Sequence, residues 1–348
     1  MLRSGILLLA ILLAACQGGG DAGDGPGGAS ERGRPFFYFV VHADPTSNTS
    51  ELQKRWNNLS SLIASLEARD AGHHVTIMLT GPWIDWLSTQ PDKQAVLAKW
   101  IQSGHQVAFH SHTHNHTFPD GYTNAQAVFG PDKYSVCLRA DKNQCTLDGA
   151  LDTLLTILPA GYRVTFAAIG PHGNGGTPPY WGVNDNRCNP AVDSNGDPIA
   201  DEDGCIQEEW TGTLAATVPH ASGAYANLTE DNRDDPKQLL GSSGCVQWGT
   251  APSPIYYLPH APFETESGKT EVRLDTVEAA LDLAGKGDFI GIVIHPMSYV
   301  ETPTSTFSGN GVAQVQAVFD ALEQRGLHSM TLDEVKDADD VGGGVACK

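Results

Sequence analysis

From Phe36 onward, short apolar runs rich in β-branched and aromatic residues alternate with longer stretches of helical period. That alternation implies βα units feeding a parallel sheet. Strands are expected at 36–41, 75–79, 106–109, 164–169, 255–258, 289–294 and 328–332, and helices at 50–69, 93–103, 147–158, 274–284 and 311–324. The first helix carries Leu52, Trp56, Leu59, Leu62, Ile63 and Leu66 on one face. Gly72, Gly104, Gly161, Gly285 and Gly326 stand just past periodic stretches, where a left-handed cap is wanted. With 348 residues, 40% of them hydrophobic, the chain can bury a large core. About seven such units match an α/β fold of the incomplete (β/α)7 TIM-like barrel type, the alternative being a doubly wound open sheet. Either architecture places ligand chemistry at the carboxyl ends of the strands. Residues 171–252 break the alternation: they are dense in Gly, Asn, Asp and Pro and hold Cys188, Cys205 and Cys245, as expected of a long disulfide-stapled loop insertion.

The N-terminus addresses export. Arg3 precedes an unbroken apolar run from Ile6 to Leu13, too short to span a bilayer and suited to a signal-peptide core. The run ends in Leu13-Ala14-Ala15-Cys16, which resembles the lipobox of bacterial lipoproteins. That resemblance implies a signal peptide over 1–16, lipidation of Cys16 and, with Gln17 rather than an aspartate following, an outer-membrane location in the cell envelope. Residues 17–34 are mostly Gly, Asp, Ser and Pro, cannot repay their ordering entropy, and are expected to tether the domain at 35–340. A formal net charge of −20 argues against nucleic acid as a partner and leaves the lipid anchor as the membrane contact.

Six cysteines follow Cys16: Cys137, Cys145, Cys188, Cys205, Cys245 and Cys347. An even number without a CxxC pair in an exported chain points to three disulfides rather than a zinc cluster. Proximity in sequence favours Cys137 with Cys145 and Cys188 with Cys205, leaving Cys245 for Cys347.

The strongest chemical signal is the stretch His110-Ser111-His112-Thr113-His114-Asn115-His116, four histidines at alternate positions after a strand. Imidazole is a common ligand of borderline metals, and histidines four apart on a helical turn face the same way, so His110 with His114 or His112 with His116 could share an ion. The strand-end position favours His110 and His114. A solvated histidine tract is the plainer reading.

Gly104-His105-Gln106-Val107-Ala108-Phe109-His110-Ser111 with His114 resembles the second motif of the NodB-type polysaccharide deacetylases, carbohydrate esterases that remove acetyl groups from sugar polymers. The resemblance implies His110 and His114 as metal ligands, with Zn2+ or another divalent transition metal as cofactor. Asp44, at the end of Phe39-Val40-Val41-His42-Ala43-Asp44, resembles the family's third ligand. The preceding position, where the family has its catalytic base, is Ala43, and the arginine that orients that base is replaced by Ile169 in Ile169-Gly170-Pro171-His172. By the same resemblance the backbone N–H of His172 would help bind the oxyanion, and His295, closing Phe289-Ile290-Gly291-Ile292-Val293-Ile294-His295, would be the general acid. With the base missing, His42 or His172 is expected to substitute. Strand alternation puts His42 on the same side as Asp44.

Hydrolysis of an amide or ester at neutral pH needs an activated water and a seat for the oxyanion, which a divalent ion held by imidazoles and a carboxylate supplies. The expected substrate is an acetylated cell-envelope or extracellular polysaccharide. Two other functions compete: a non-catalytic carbohydrate-binding lipoprotein that keeps the metal, and a metal-dependent glycoside hydrolase drawing its carboxylates from Asp85, Asp120 and Glu264. Oxygen side chains at Asp193, Asn195, Asp197, Asp201 and Asp203 also suit a Ca2+ loop, although Pro198 stands where an EF-hand would have its turn glycine.

Overall fold

The structure, a computed structural model, describes residues 34–112, 120–124, 136–170, 211–225, 228, 231–241, 243–246, 254–263, 271–300, 311–344 and 347. The signal and tether segments, His114, His116, His172, Cys188, Cys205, Glu264 and the Asp193–Asp203 loop lie outside the described residues.

Seven parallel strands close into a barrel. They are β1 (Phe36–Ala43), β2 (Thr76–Leu79), β3 (Gln106–His112), β4 (Phe166–Gly170), β5 (His220–Ala224), β7 (Ile255–Pro262) and β8 (Phe289–Ile294). The hydrogen-bonded order runs β1-β2-β3-β4-β5-β7-β8 and returns to β1, which excludes the open sheet. β7 meets β8 only through Ala261↔Ile292 and Pro262↔Val293. Toward the other end of β7 its edge is taken instead by the short antiparallel β6 (Gly244–Val246), and Gly241 bridges to Phe289, so an extra ribbon wedges the seam.

Around the barrel lie α1 (Thr49–Glu67), α2 (Gly81–Ser88), α3 (Pro91–Gln102), α4 (Leu147–Ile157), α5 (Gly212–Thr217), α6 (Leu274–Leu283), α7 (Gly311–Gln324) and α8 (Leu332–Gly342). Side-chain caps start several of them. Asn48 accepts the backbone N–H groups of Ser50 and Glu51 ahead of α1, and Thr331 with Glu334 forms a capping box on α8.

Two expectations are corrected here. The strand expected at 328–332 is an isolated bridge between Tyr38 and Met330, after which the Thr331–Glu334 box turns the chain into α8. The seventh barrel strand is β5, inside the stretch taken for an insertion; five residues holding two small glycine- and serine-type side chains carry too little apolar pattern to be seen as a strand. A smaller correction concerns the glycine caps: Gly72, Gly104, Gly161 and Gly326 have positive φ, but in the turn before β8 it is Gly287, not Gly285.

Strand alternation divides the core. Phe37, Phe39, Val41 and Ala43 of β1 face the helices, while Tyr38, Val40, Met78, Ala108, Phe166, Ala168, Tyr256, Leu258, Phe289 and Val293 fill the barrel, joined by Leu332 and Val335 of α8 at its N-terminal end. Gly291 is a required glycine. A Cβ there would run into the Tyr38 ring and the Pro259 carbonyl, to which the Tyr38 hydroxyl donates. Gly291→Ala is expected to cost about 1–3 kcal/mol by overpacking; a urea midpoint equal to that of the parent chain would refute this reading of the layer.

Disulfides join Cys137 to Cys145 and Cys245 to Cys347. The second ties the chain end beyond α8 to the β6 wedge.

Candidate metal centre

On most of the barrel strands the inward register, continued beyond its apolar layer, ends in a polar group. On β1 the series Tyr38, Val40 leads to His42 and then Asp44; on β3, Ala108 leads to His110 and His112; on β5, His220 leads to Ser222; on β7, Tyr256 and Leu258 lead to His260; on β8, Val293 leads to His295. The carboxyl-end mouth of the barrel is therefore a cup of five imidazoles and one carboxylate.

Asp44 is its centre. Its Oδ1 lies 3.1 Å from His112 Nε2, 3.2 Å from His295 Nε2 and 3.9 Å from His110 Nε2. The backbone beneath it is pinned: the Asp44 carbonyl accepts from Arg55 Nη1 at 2.9 Å and Trp83 Nε1 at 3.0 Å, and the Ala43 carbonyl accepts from Thr80 Oγ1 at 2.6 Å. Burial alone would raise the Asp44 pKa, but His295 and His112 outweigh it and hold the carboxyl well below its usual range.

His42 sits deeper, its ring 4.0 Å from that of His110, 4.8 Å from His260 and 5.7 Å from His295. Burial, then the neighbouring His110 and His260, keep its pKa well below that of a free imidazole. His110 is held neutral for the same first reason, with His112 next. Its tautomer follows from one contact: Nδ1 lies 2.7 Å from the Ala168 carbonyl, which only accepts, so Nδ1 carries the proton and Nε2 is a bare lone pair. A second tautomer is fixed on β7, where Ser222 Oγ gives its proton to the Leu258 carbonyl (2.7 Å) and so accepts from His260 Nδ1 (2.9 Å).

Several buried donor atoms are left without a hydrogen-bond partner: His42 Nε2, His110 Nε2 and Asp44 Oδ1. Lone pairs facing a carboxylate oxygen in a buried cup repel one another unless a cation lies among them, so the side chains present fit a divalent metal. Two groups have all their ligand atoms within 4.8 Å of one another: Asp44, His110 and His112, and His42, Asp44 and His295. Imidazole nitrogen with one carboxylate suits zinc and its neighbours in the transition series.

Of the residues singled out from the sequence, Asp44, His110, His42 and His295 come together, and His42 shares the face of Asp44. His114 and His172 lie outside the described residues. The helical spacing that favoured His114 does not apply to His110 and His112, because β3 does not end at Phe109. It runs on to His112, pairing His110 with Ala168 and His112 with Gly170, and the period is two. His112, which the helical spacing pairs with His116 as the less favoured alternative, joins His110 instead, and His260, beyond the expected end of the 255–258 strand, is added. Both were findable by extending the inward register of strands already recognised.

Of the carboxylates suspected of glycosidase work, the two among the described residues are occupied elsewhere. Asp85 pairs with Arg139 (Nη2–Oδ1 2.9 Å) and the Tyr122 hydroxyl. Asp120 accepts the His112 and Tyr122 backbone N–H groups at 3.0 and 2.9 Å, and burial raises its pKa to about 7 against those bonds. Its own N–H donates to the His112 carbonyl, fixing the backbone where His112 leaves β3.

No family model matches the sequence, and no curated protein does. Among solved structures, a presumed polysaccharide deacetylase from Mycobacterium smegmatis is similar at a TM-score of 0.51 and 11% identity, over 92% of this chain and 94% of that one. This likeness establishes a shared fold. A 4-alpha-glucanotransferase from Thermococcus litoralis gives a TM-score of 0.48 at 12% identity over 90% of this chain, which spans only 39% of that enzyme. A CE4 family pseudoenzyme from Bacillus anthracis gives 0.34 at 10% identity, over 87% of this chain and 65% of that one.

Proposed function

We propose that this chain is a divergent polysaccharide deacetylase: a metal-dependent hydrolase that removes acetyl groups from a cell-envelope or extracellular polysaccharide, carried on a lipid anchor at Cys16. The observation that supports it best is the cup itself. Unpartnered imidazole nitrogens converge on one half-buried carboxylate at the carboxyl end of a (β/α)7 barrel, in the chain order that resembles the deacetylase motifs.

Asp44, His110 and His112 would hold the ion. When bound, a divalent ion supplies a Lewis acid for the acyl oxygen and for water. The protein's own part is orientation. Ala168 turns the His110 lone pair into the cup, and Arg55 with Trp83 fixes the Asp44 backbone. Among the described residues, His42 and His295 are the groups of the second ligand set able to move a proton near Asp44. Their side chains differ in access: His295 stands at the mouth, whereas His42 is covered by His110 and His260.

Metal-loaded protein is expected to release acetate from acetylated chitooligosaccharides or acetylated xylan, with a preference between them that separates nitrogen from oxygen deacetylation. Loss of a group that moves a proton costs roughly 100- to 10,000-fold, so His295→Ala should fall in that range. If folded, metal-replete protein released no acetate from either, the enzyme reading would be overturned. Ala43 favours one competing reading, a carbohydrate-binding protein, because the family's base is missing there. Polymer binding without acetate release would support that reading instead.

A further inference from the structure

One tetrahedral ion needs three protein ligands and an open position, yet the cup offers five imidazoles and a carboxylate. The surplus is ordered. Asp44 belongs to both ligand groups, one completed by His110 and His112 on β3, the other by His42 on β1 and His295 after β8. Each group contains a deeply buried ring nitrogen without a hydrogen-bond partner, His110 Nε2 in the first and His42 Nε2 in the second, and the two residues are 4% and 8% exposed. No single ion placed between His110 and His112 would explain why His42, on an inward strand position that follows Tyr38 and Val40, is an imidazole with an unpartnered ring nitrogen. A carboxylate has two oxygens and bridges two cations readily, as two-metal hydrolytic sites do.

We propose that the barrel mouth is a two-metal centre, one divalent ion held by Asp44, His110 and His112 and a second by Asp44, His42 and His295, with the Asp44 carboxylate bridging them. The inference rests on the metal-dependent reading above and changes one part of it. The second ion takes His42 and His295 as ligands. His260 then acts as a positioning residue: its ring lies edge-on to His42, held by Ser222, and keeps the His42 ring from turning away.

The test is stoichiometry, read on the untagged full-length domain stripped with chelator and reloaded with Co2+ or Zn2+, with metal content measured after gel filtration. The expected result is two ions per chain, with spin coupling between paired Co2+ ions, and one ion in His42→Ala with that coupling lost. Circular dichroism and the thermal midpoint check that each variant folds, and His42→Gln provides a second variant should the alanine destabilise the chain. One ion per chain at saturation would overturn the two-metal centre, as would two ions retained in a folded His42→Ala protein. One ion with acetate release would leave the deacetylase reading standing; two ions without acetate release would remove that reading and leave the centre.

Discussion

Asp44→Asn protein, stripped of metal and offered Zn2+ again, should bind no ion in the barrel mouth and lose acetate release by well over 100-fold. The expectation follows from the position of a single side chain. Among the described residues, Asp44 Oδ1 is the carboxylate oxygen that reaches His110, His112 and His295, and both ligand groups contain Asp44. Disturbing a partner one shell out from a metal already costs about 10- to 100-fold in affinity or activity, and a direct anionic ligand should cost more. Asparagine keeps the shape and removes the charge, so the comparison isolates electrostatics from packing. The fold should survive, because Arg55 and Trp83 hold the Asp44 carbonyl, which the substitution leaves in place. Isothermal titration with Zn2+ and the acetate assay together measure the outcome. Wild-type affinity in Asp44→Asn would show that the ion, if any, is held elsewhere.

The second large effect is acid sensitivity of the metal-free chain. Burial, with smaller terms from charged neighbours, lowers His105 and His220 to about 4, and burial with neighbouring imidazoles lowers His42 and His110 in the same direction. His105 has a specific reason to stay neutral: its Nδ1 accepts the Val75 backbone N–H at 3.2 Å, a bond that a proton there would abolish. Each of these folded pKa values lies below the unfolded value near 6.5, so between about 4 and 6.5 the unfolded chain binds more protons. Stability is therefore fully present above pH 6.5 and is lost as pH falls. At pH 5, His105 and His220 together remove about 4 kcal/mol by this linkage, a large share of a typical total of about 5–15 kcal/mol. His74, raised by its bond to Glu334, works in the opposite direction, but that pair is partly solvated and contributes less. Urea unfolding in EDTA at pH 7 and pH 5 measures the difference. Equal or greater stability at pH 5 would mean that these histidines are not held neutral.

The fold was legible in the sequence wherever a strand was apolar enough to register and a helix long enough to show its period. β8 and α7 were placed to the residue. β5 escaped because His220-Ala221-Ser222-Gly223-Ala224 satisfies its backbone bonds with β4 and β7 while offering almost no side-chain pattern; its place is fixed by its neighbours. The site was legible in part for a related reason. Motif resemblance found Asp44, His110 and His295 one at a time, but His112 and His260 become visible only when strand register is carried past the apolar layer into the polar one. His42 was reached by alternation alone, and its contact with His260 across the barrel is a tertiary fact no local pattern contains.

The filling of the barrel has a further consequence. Below the cup, Tyr38 lies across Gly291, and the side chains of Val40, Met78, Leu258 and Leu332 pack the interior of the barrel. On the metal-dependent reading proposed above, ion and polymer would both come to the mouth of the barrel. An ion would have to be seated before a sugar chain settled over it, and a seated sugar chain would act as a cork: a chelator would strip the centre only in the intervals between substrates, and the lifetime of bound metal would become a property of how crowded the mouth is.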